Sequence, residues 1–202
     1  MRIRTYRAIL NMSEHDLKKA KEIFEKAKKG DKNAFSEMYE AYFRPIYRYV
    51  YLRLGDKFES DELAQDIFLK IYDSEDEIDL NGHSGSSALI NFYAIARKSV
   101  LDWNRKRRRN VLSDDKTGYY SDSKFGRTEE SLKKEEFDNL HEALAGLSFE
   151  EQDAIIFRFI DEFSNEDAGL LLGVSARTTS RLVSQGIISI RDIMKEQYEQ
   201  QS

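Results

Sequence analysis

The chain contains no cysteine. Disulfides and thiolate metal sites are therefore excluded. Proline occurs once, at position 45, so the strongest helix breaker is almost missing. The three histidines, His15, His83 and His141, lie far apart with no helical or chelate spacing, which argues against a zinc site. Neither a metal nor a cofactor is expected. No apolar run approaches the roughly 18 residues of a membrane span. The opening "MRIRTYRAILNMSEHD" turns polar too early for a signal peptide. A soluble cytoplasmic protein without membrane insertion is the expectation. Positive charge is also in short supply, with 32 Lys and Arg against 37 Asp and Glu for a formal net charge of -5.

What is present is helical periodicity. Met12 stands directly before "SEHD", a helix-cap pattern, which leaves open residues 1–11 as an upstream-start extension. A first helix is predicted over 14–29, with Leu17, Ala20, Phe24 and Ala27 on one stripe and Gly30 as its stop. A second covers 33–54, carrying Phe35, Met38, Tyr42, Ile46, Val50 and Leu54 on one side, with Pro45 expected to kink or split it. A third covers 61–72 behind Ser60 as cap, and a fourth 87–109. The stretch "SEDEIDLNGHSGSS" between the last two reads as a loop, and "SDDKTGYYSDSKFGRTEES" as a linker. Helical signal resumes near residue 135 and persists to 198. The fold class is all-α: two helical domains, 13–110 and 135–198, joined by a flexible linker over 111–134.

In this acidic chain, seven cations are concentrated within the fifteen residues "ARKSVLDWNRKRRRN", Ala96 to Asn110. A helical projection puts Leu89, Phe92, Ala96, Val100 and Trp103 on a core face, and Ile90, Ala94 and Leu101 near Arg97 and Lys98 on the other. A helix apolar on two sides is either sandwiched or meets something there. A solvated helix end would also explain the cations, but their mixture with apolar side chains suits a nucleic-acid backbone with unstacked bases.

Further along, "FSNEDAGLLLGVSARTTSRLVSQGIISI" reads as two short helices across a tight turn. Ser164 with Asp167 caps the first and Ser175 the second. Gly169 and Gly173 would let the helices cross closely. Thr179, Val183, Gly186 and Ile190 fall inward, leaving Arg177, Thr178, Ser180, Arg181 and Ser184 outward. That pattern fits a helix-turn-helix with polar residues set for a major groove, although an ordinary helical hairpin shares it.

Together the two halves resemble the extracytoplasmic-function sigma factors of bacterial RNA polymerase. The matching stretches are "AFSEMYEAYFRPIYRYVYLRLGD", "DELAQDIFLKIY" and "FYAIARKSVLDWNRKRRR", similar to sigma region two, and the segment from "LSFEEQDAIIFRF" to "IISIR", similar to region four. The resemblance implies a non-enzymatic subunit that binds core polymerase and directs promoter-specific initiation. Asp61, Glu62, Gln65, Asp66, Leu69 and Lys70 would dock on the beta-prime clamp helices. Asn81, His83, Ser84, Asn91, Arg97, Lys98, Arg105, Lys106 and Arg108 would open and hold the minus-ten element. Arg177, Thr178, Ser180, Arg181 and Ser184 would read the minus-thirty-five element, with the beta flap as a further contact. Many relatives are held inactive by an anti-sigma factor, which adds that partner class, but no docking face for it stands out.

Three departures from the family pattern matter. Asn91 stands where tryptophan is frequent. Gly169 replaces the usual alanine, at about 1 kcal/mol of helix propensity. Residues 144–191 carry seven acidic side chains against four basic ones, so this half should bind DNA poorly unaided. A free-standing helix-turn-helix regulator is the alternative, but it leaves the 61–72 surface and the basic helix unexplained. A nuclease built on Asp114 and Asp115 would have its carboxylates in the turn-rich linker, without rigid support.

Overall fold

The computed structural model describes residues 22–73, 87–112 and 134–200, and among these there is no β-strand. Among the described residues eight helices follow in order: α1 (22–28), α2 (Lys32–Leu54), α3 (Lys57–Asp73), α4 (Ser87–Leu112), α5 (Lys134–Ala145), α6 (Phe149–Ile155), α7 (Asn165–Leu172) and α8 (Ala176–Gln200). A single π-helical turn, Ile156–Ile160, extends α6.

Helices α2, α3 and α4 pack on one another around a core that includes Met38, Ile46, Val50, Ile67, Ile71, Phe92 and Val100. The start of α2 is set by Asp31, whose carboxylate accepts from the amides of Asn33 and Ala34. Its end is set by Gly55 at φ 70°, a left-handed conformation that favours glycine. Pro45 neither splits nor ends this helix. The carbonyl deprived of an amide partner is that of Ala41, an exposed residue, so water can reach it. The Pro45 carbonyl itself accepts from the Tyr93 hydroxyl at 3.3 Å.

Helix α3 begins at Lys57, a turn before the predicted position. Asp56 caps it by accepting from the Glu59 amide, while Ser60 is buried and its hydroxyl donates back to the Asp56 carbonyl. Ser60 is therefore an interior residue of the first turn and not the cap.

In the second bundle, α8 packs on α6 and α7. Ser148 and Glu151 form a reciprocal capping box at the start of α6. Ser164 accepts from the Asp167 amide at 3.0 Å and Ser175 from the Thr178 amide at 3.2 Å, which fixes the starts of α7 and α8 as expected. The two glycines of the turn do different things. Gly173 sits at φ 73° with open space around it, so it serves the backbone turn and not close packing. At Gly169 a Cβ would lie 2.7 Å from the Val174 carbonyl oxygen, so only glycine admits the turn there.

The two bundles share a continuous apolar core. Phe157, on the π-helical turn, stacks on Tyr49 of α2 at 5.4 Å between ring centroids and meets Tyr93 of α4 edge-on at 5.7 Å. Phe163 meets Tyr93 edge-on at 5.2 Å. Tyr93 of α4 is thus covered by the C-terminal bundle, whereas on the second apolar side expected from the sequence Ala94 is exposed and Ile90 and Leu101 are half-buried.

Candidate nucleic-acid and partner interfaces

On α3, Leu63, Ala64, Ile67, Phe68 and Ile71 are buried and fix which face looks out. Glu62, Asp66, Leu69 and Lys70 are exposed, and Asp61 and Gln65 half-buried. Leu69 is 59% exposed, an isolated apolar group ringed by polar ones. Phe58, at the start of the same helix, is 68% exposed and was not singled out from the sequence. Helix α3 is tied to α4 by Glu59, which accepts from Trp103 Nε1 at 3.3 Å and pairs with Arg107 at 3.1 Å. Trp103 consequently sits half-buried at the rim of the core rather than within it.

The basic end of α4 projects as expected. Arg105, Lys106 and Arg109 are exposed, and with Lys70 and Asp102 they line an open cleft of about 620 Å³. Lys70 Nζ also donates to Ser99 Oγ at 3.2 Å. A residue grouped from sequence with the polymerase-docking set therefore stands beside cations grouped from sequence with the minus-ten set. Lys98 is exposed and Asn91 half-buried. The side chain of Arg108 lies outside the described residues, as do Asn81, His83 and Ser84.

Arg97 departs from expectation. Instead of projecting with Lys98, its Nε donates to Asp153 Oδ2 at 2.8 Å. Asp153 is fully buried on α6 and also receives the Tyr49 hydroxyl at 2.9 Å, with Arg53 Nε 3.5 Å from its other oxygen. A buried carboxylate needs cationic and hydrogen-bonding partners, and Arg97 is within reach to provide one. Beside this cluster Arg53 stacks over Phe149 at 3.6 Å from the ring centroid. A second cluster pairs Arg48 with Asp161, and Arg48 also donates to the Ile160 carbonyl at 3.1 Å. Desolvation raises both aspartates above the ordinary value of 3.8, against the opposing pull of Arg53 and Arg97 on Asp153 and of Arg48 on Asp161. Burial lifts Tyr49 and Tyr93 well above 10.0. It also pushes Tyr51, bonded to Asp138, up to about 12. Sequence periodicity gave these residues no role. The available signal was charge where the pattern demands apolar residues: Arg53 between Leu52 and Leu54, and Asp153 before "AII".

At the start of α8, Thr179 is buried and its hydroxyl donates to the Ser175 carbonyl at 3.2 Å. That lock turns Arg177, Ser180, Arg181 and Ser184 outward and leaves Thr178 half-buried against Ser175. Leu170 and Val174, in and beside the turn, are exposed. Among the described residues there is no cluster of metal-ligating side chains and no helix long and apolar enough to cross a membrane.

Among the described residues, a three-helix bundle with a cationic helix end is followed by a helix-turn-helix, all of it α-helical. The ECF sigma factor family model matches residues 17–197, and the chain belongs to that family. It is 24% identical over 193 residues to the ECF RNA polymerase sigma factor SigW of Bacillus subtilis, covering 87% of this chain and 97% of that relative. It is 26% identical over 164 residues to the ECF RNA polymerase sigma factor BldN of Streptomyces coelicolor, covering 80% and 60%. Among solved structures the fold is similar to CnrH in complex with the cytosolic domain of CnrY, with a TM-score of 0.63, 15% identity and coverage of 86% and 96%. It is also similar to the sigma factor RpoE in complex with the anti-sigma factor NepR from Bartonella quintana, with a TM-score of 0.61, 20% identity and coverage of 80% and 96%. As a family member the chain is a sigma factor, a subunit that directs RNA polymerase to promoters.

Proposed function

We propose that this sigma factor works as two domains, 13–110 and 135–198, joined by the linker 111–134, in the cytoplasm and without chemistry of its own. Asp61, Glu62, Gln65, Asp66, Leu69 and Lys70 dock on the beta-prime clamp helices of core polymerase, and the second domain reaches the beta flap. Lys98, Arg105, Lys106 and Arg108, with Asn91 and the 81–84 loop residues Asn81, His83 and Ser84, engage the minus-ten element. Arg97 joins them once it is released from Asp153. Arg177, Thr178, Ser180, Arg181 and Ser184 read the minus-thirty-five element. The SigW and BldN resemblances support the polymerase assignment. An anti-sigma factor is a further partner class, as it is for the Bartonella protein.

The observation that carries this reading is the start of α8, where a buried Thr179 sets Arg177, Ser180 and Arg181 outward on the end of a helix that enters a major groove. Transcription in vitro with core polymerase over a random promoter library tests it. Core-dependent RNA from an enriched two-element promoter is the expected result. Its absence, with the chain folded, refutes the reading.

A further inference from the structure

Two polar side chains tie α3 to α4, and they carry opposite charges. Glu59 takes Arg107 at 3.1 Å and the Trp103 indole at 3.3 Å, so one cation of the basic helix end is held by a carboxylate. Lys70 follows eleven residues later, which brings it back to within about 20° of the same flank of α3. Its Nζ donates to Ser99 Oγ at 3.2 Å, and Ser99 is buried, so the ammonium group is steered onto α4. A hydroxyl orients that group without neutralising it. Among the described residues Lys70 forms no ion pair.

Ser99, Asp102, Lys106 and Arg109 recur at helical spacing on one side of α4, and the cleft of about 620 Å³ runs there with Lys70 entering from α3. Arg105 stands 3.6 Å from Asp102. The described lining therefore sets four cations against one carboxylate, and a cleft of one sign concentrates anions of the other. No aromatic ring is among those lining residues, so the cleft offers no platform for a base and suits a phosphate backbone. From Ser99 to Lys106 is about 10 Å along α4. A strand carries a phosphate every 3.4 Å or so of helix axis, so the Lys70 ammonium and the cations of α4 would meet different phosphates.

We propose that Lys70 is a DNA phosphate contact, supplied to the cationic row of α4 from the helix that docks on polymerase. It stands in for Arg107, the cation that Glu59 withdraws from that row. This deepens the proposed function and rests on it only in taking the α4 cations as a DNA surface.

The full chain is titrated with a fluorescein-labelled DNA duplex of mixed sequence, and anisotropy is read over a series of salt concentrations. Phosphate contacts carry no sequence information, so neither a promoter nor polymerase is needed. Lys70→Gln is expected to lower the slope of log affinity against log salt by about one, and to weaken duplexes of different sequence alike. Lys70→Arg should restore the wild-type slope. Lys32→Gln, which removes the same charge at the exposed start of α2, should leave it unchanged. Lys70 is exposed, so the variants should fold, and circular dichroism verifies that. A wild-type slope in Lys70→Gln, or an equal fall in Lys32→Gln, would overturn the inference. Lys106→Gln separates it from the reading beneath it. A fall at Lys106 without one at Lys70 removes Lys70 alone, whereas no fall at either, or no binding at low salt, removes the α4 surface as well.

Discussion

Arg97 and Asp153, 56 positions apart in sequence, meet at 2.8 Å and join a helix of the N-terminal bundle to one of the C-terminal bundle. The aspartate is completely buried, and Arg53, its other cationic neighbour, retains only 2% side-chain exposure. Buried pairs of this kind contribute little net stability when intact, yet removing one partner leaves a charge without compensation. Asp153→Ala should therefore lower unfolding free energy by about 3–5 kcal/mol. Replacing Arg53 and Asp153 together with Met and Leu should recover most of the loss. Urea denaturation of the three variants measures both effects.

The sign of the pH dependence follows from the same burial. Both aspartates titrate above 3.8 in the folded chain because desolvation outweighs Arg53 and Arg97 at Asp153 and Arg48 at Asp161. A raised carboxyl binds more protons folded than unfolded, so its contribution is greatest below 3.8 and declines as pH rises through the raised value. The stability difference between wild type and the Asp153→Asn, Asp161→Asn double variant should thus shift in favour of wild type on acidification through that window. Paired thermal melts across the pH series would show it. A difference moving the other way would mean that the arginines dominate.

Gly169→Ala sets two effects against each other. Helix propensity alone favours alanine by about 1 kcal/mol. The added Cβ would stand 2.7 Å from the Val174 carbonyl oxygen, a backbone atom held by the turn. Forcing a group into such a space costs about 1–3 kcal/mol, so net destabilisation is expected. A melting temperature above wild type would show that the turn can shift.

For the α3 face the expectation is loss of binding without loss of fold. Gln65→Lys with Leu69→Lys should weaken association with core polymerase while helix content and melting temperature stay near wild type, because Leu69 is 59% exposed and the apolar stripe opposite is untouched. Circular dichroism and a core-binding titration separate the two.

On α8, Arg177→Ala and Arg181→Ala should each relax base preference at one promoter position, at about 1–3 kcal/mol for a lost bidentate guanine contact. Both side chains are exposed, so stability should hardly change. Selection from a promoter library reads the preference directly. Unchanged selection in both variants would move base reading to another surface.

Most helices, the caps of α7 and α8, and four of the five residues expected outward on α8 were legible in the sequence alone, Thr178 being half-buried. Those are local matters: the 3.6-residue period and the side chain that reaches the third amide are encoded within a few positions. It misplaced the cap of α3, where Asp56 and Ser60 are both able capping residues and burial chose between them. It expected Pro45 to interrupt α2, since nothing local revealed that the unpaired Ala41 carbonyl would face solvent. What Tyr93 and Arg97 of α4 meet was settled by tertiary packing. Tyr93 and Arg97 look alike in sequence whether they face water, DNA or another helix. Their partners Phe157, Phe163 and Asp153 lie more than fifty residues away, and a periodic pattern carries no information on which distant face a helix will meet.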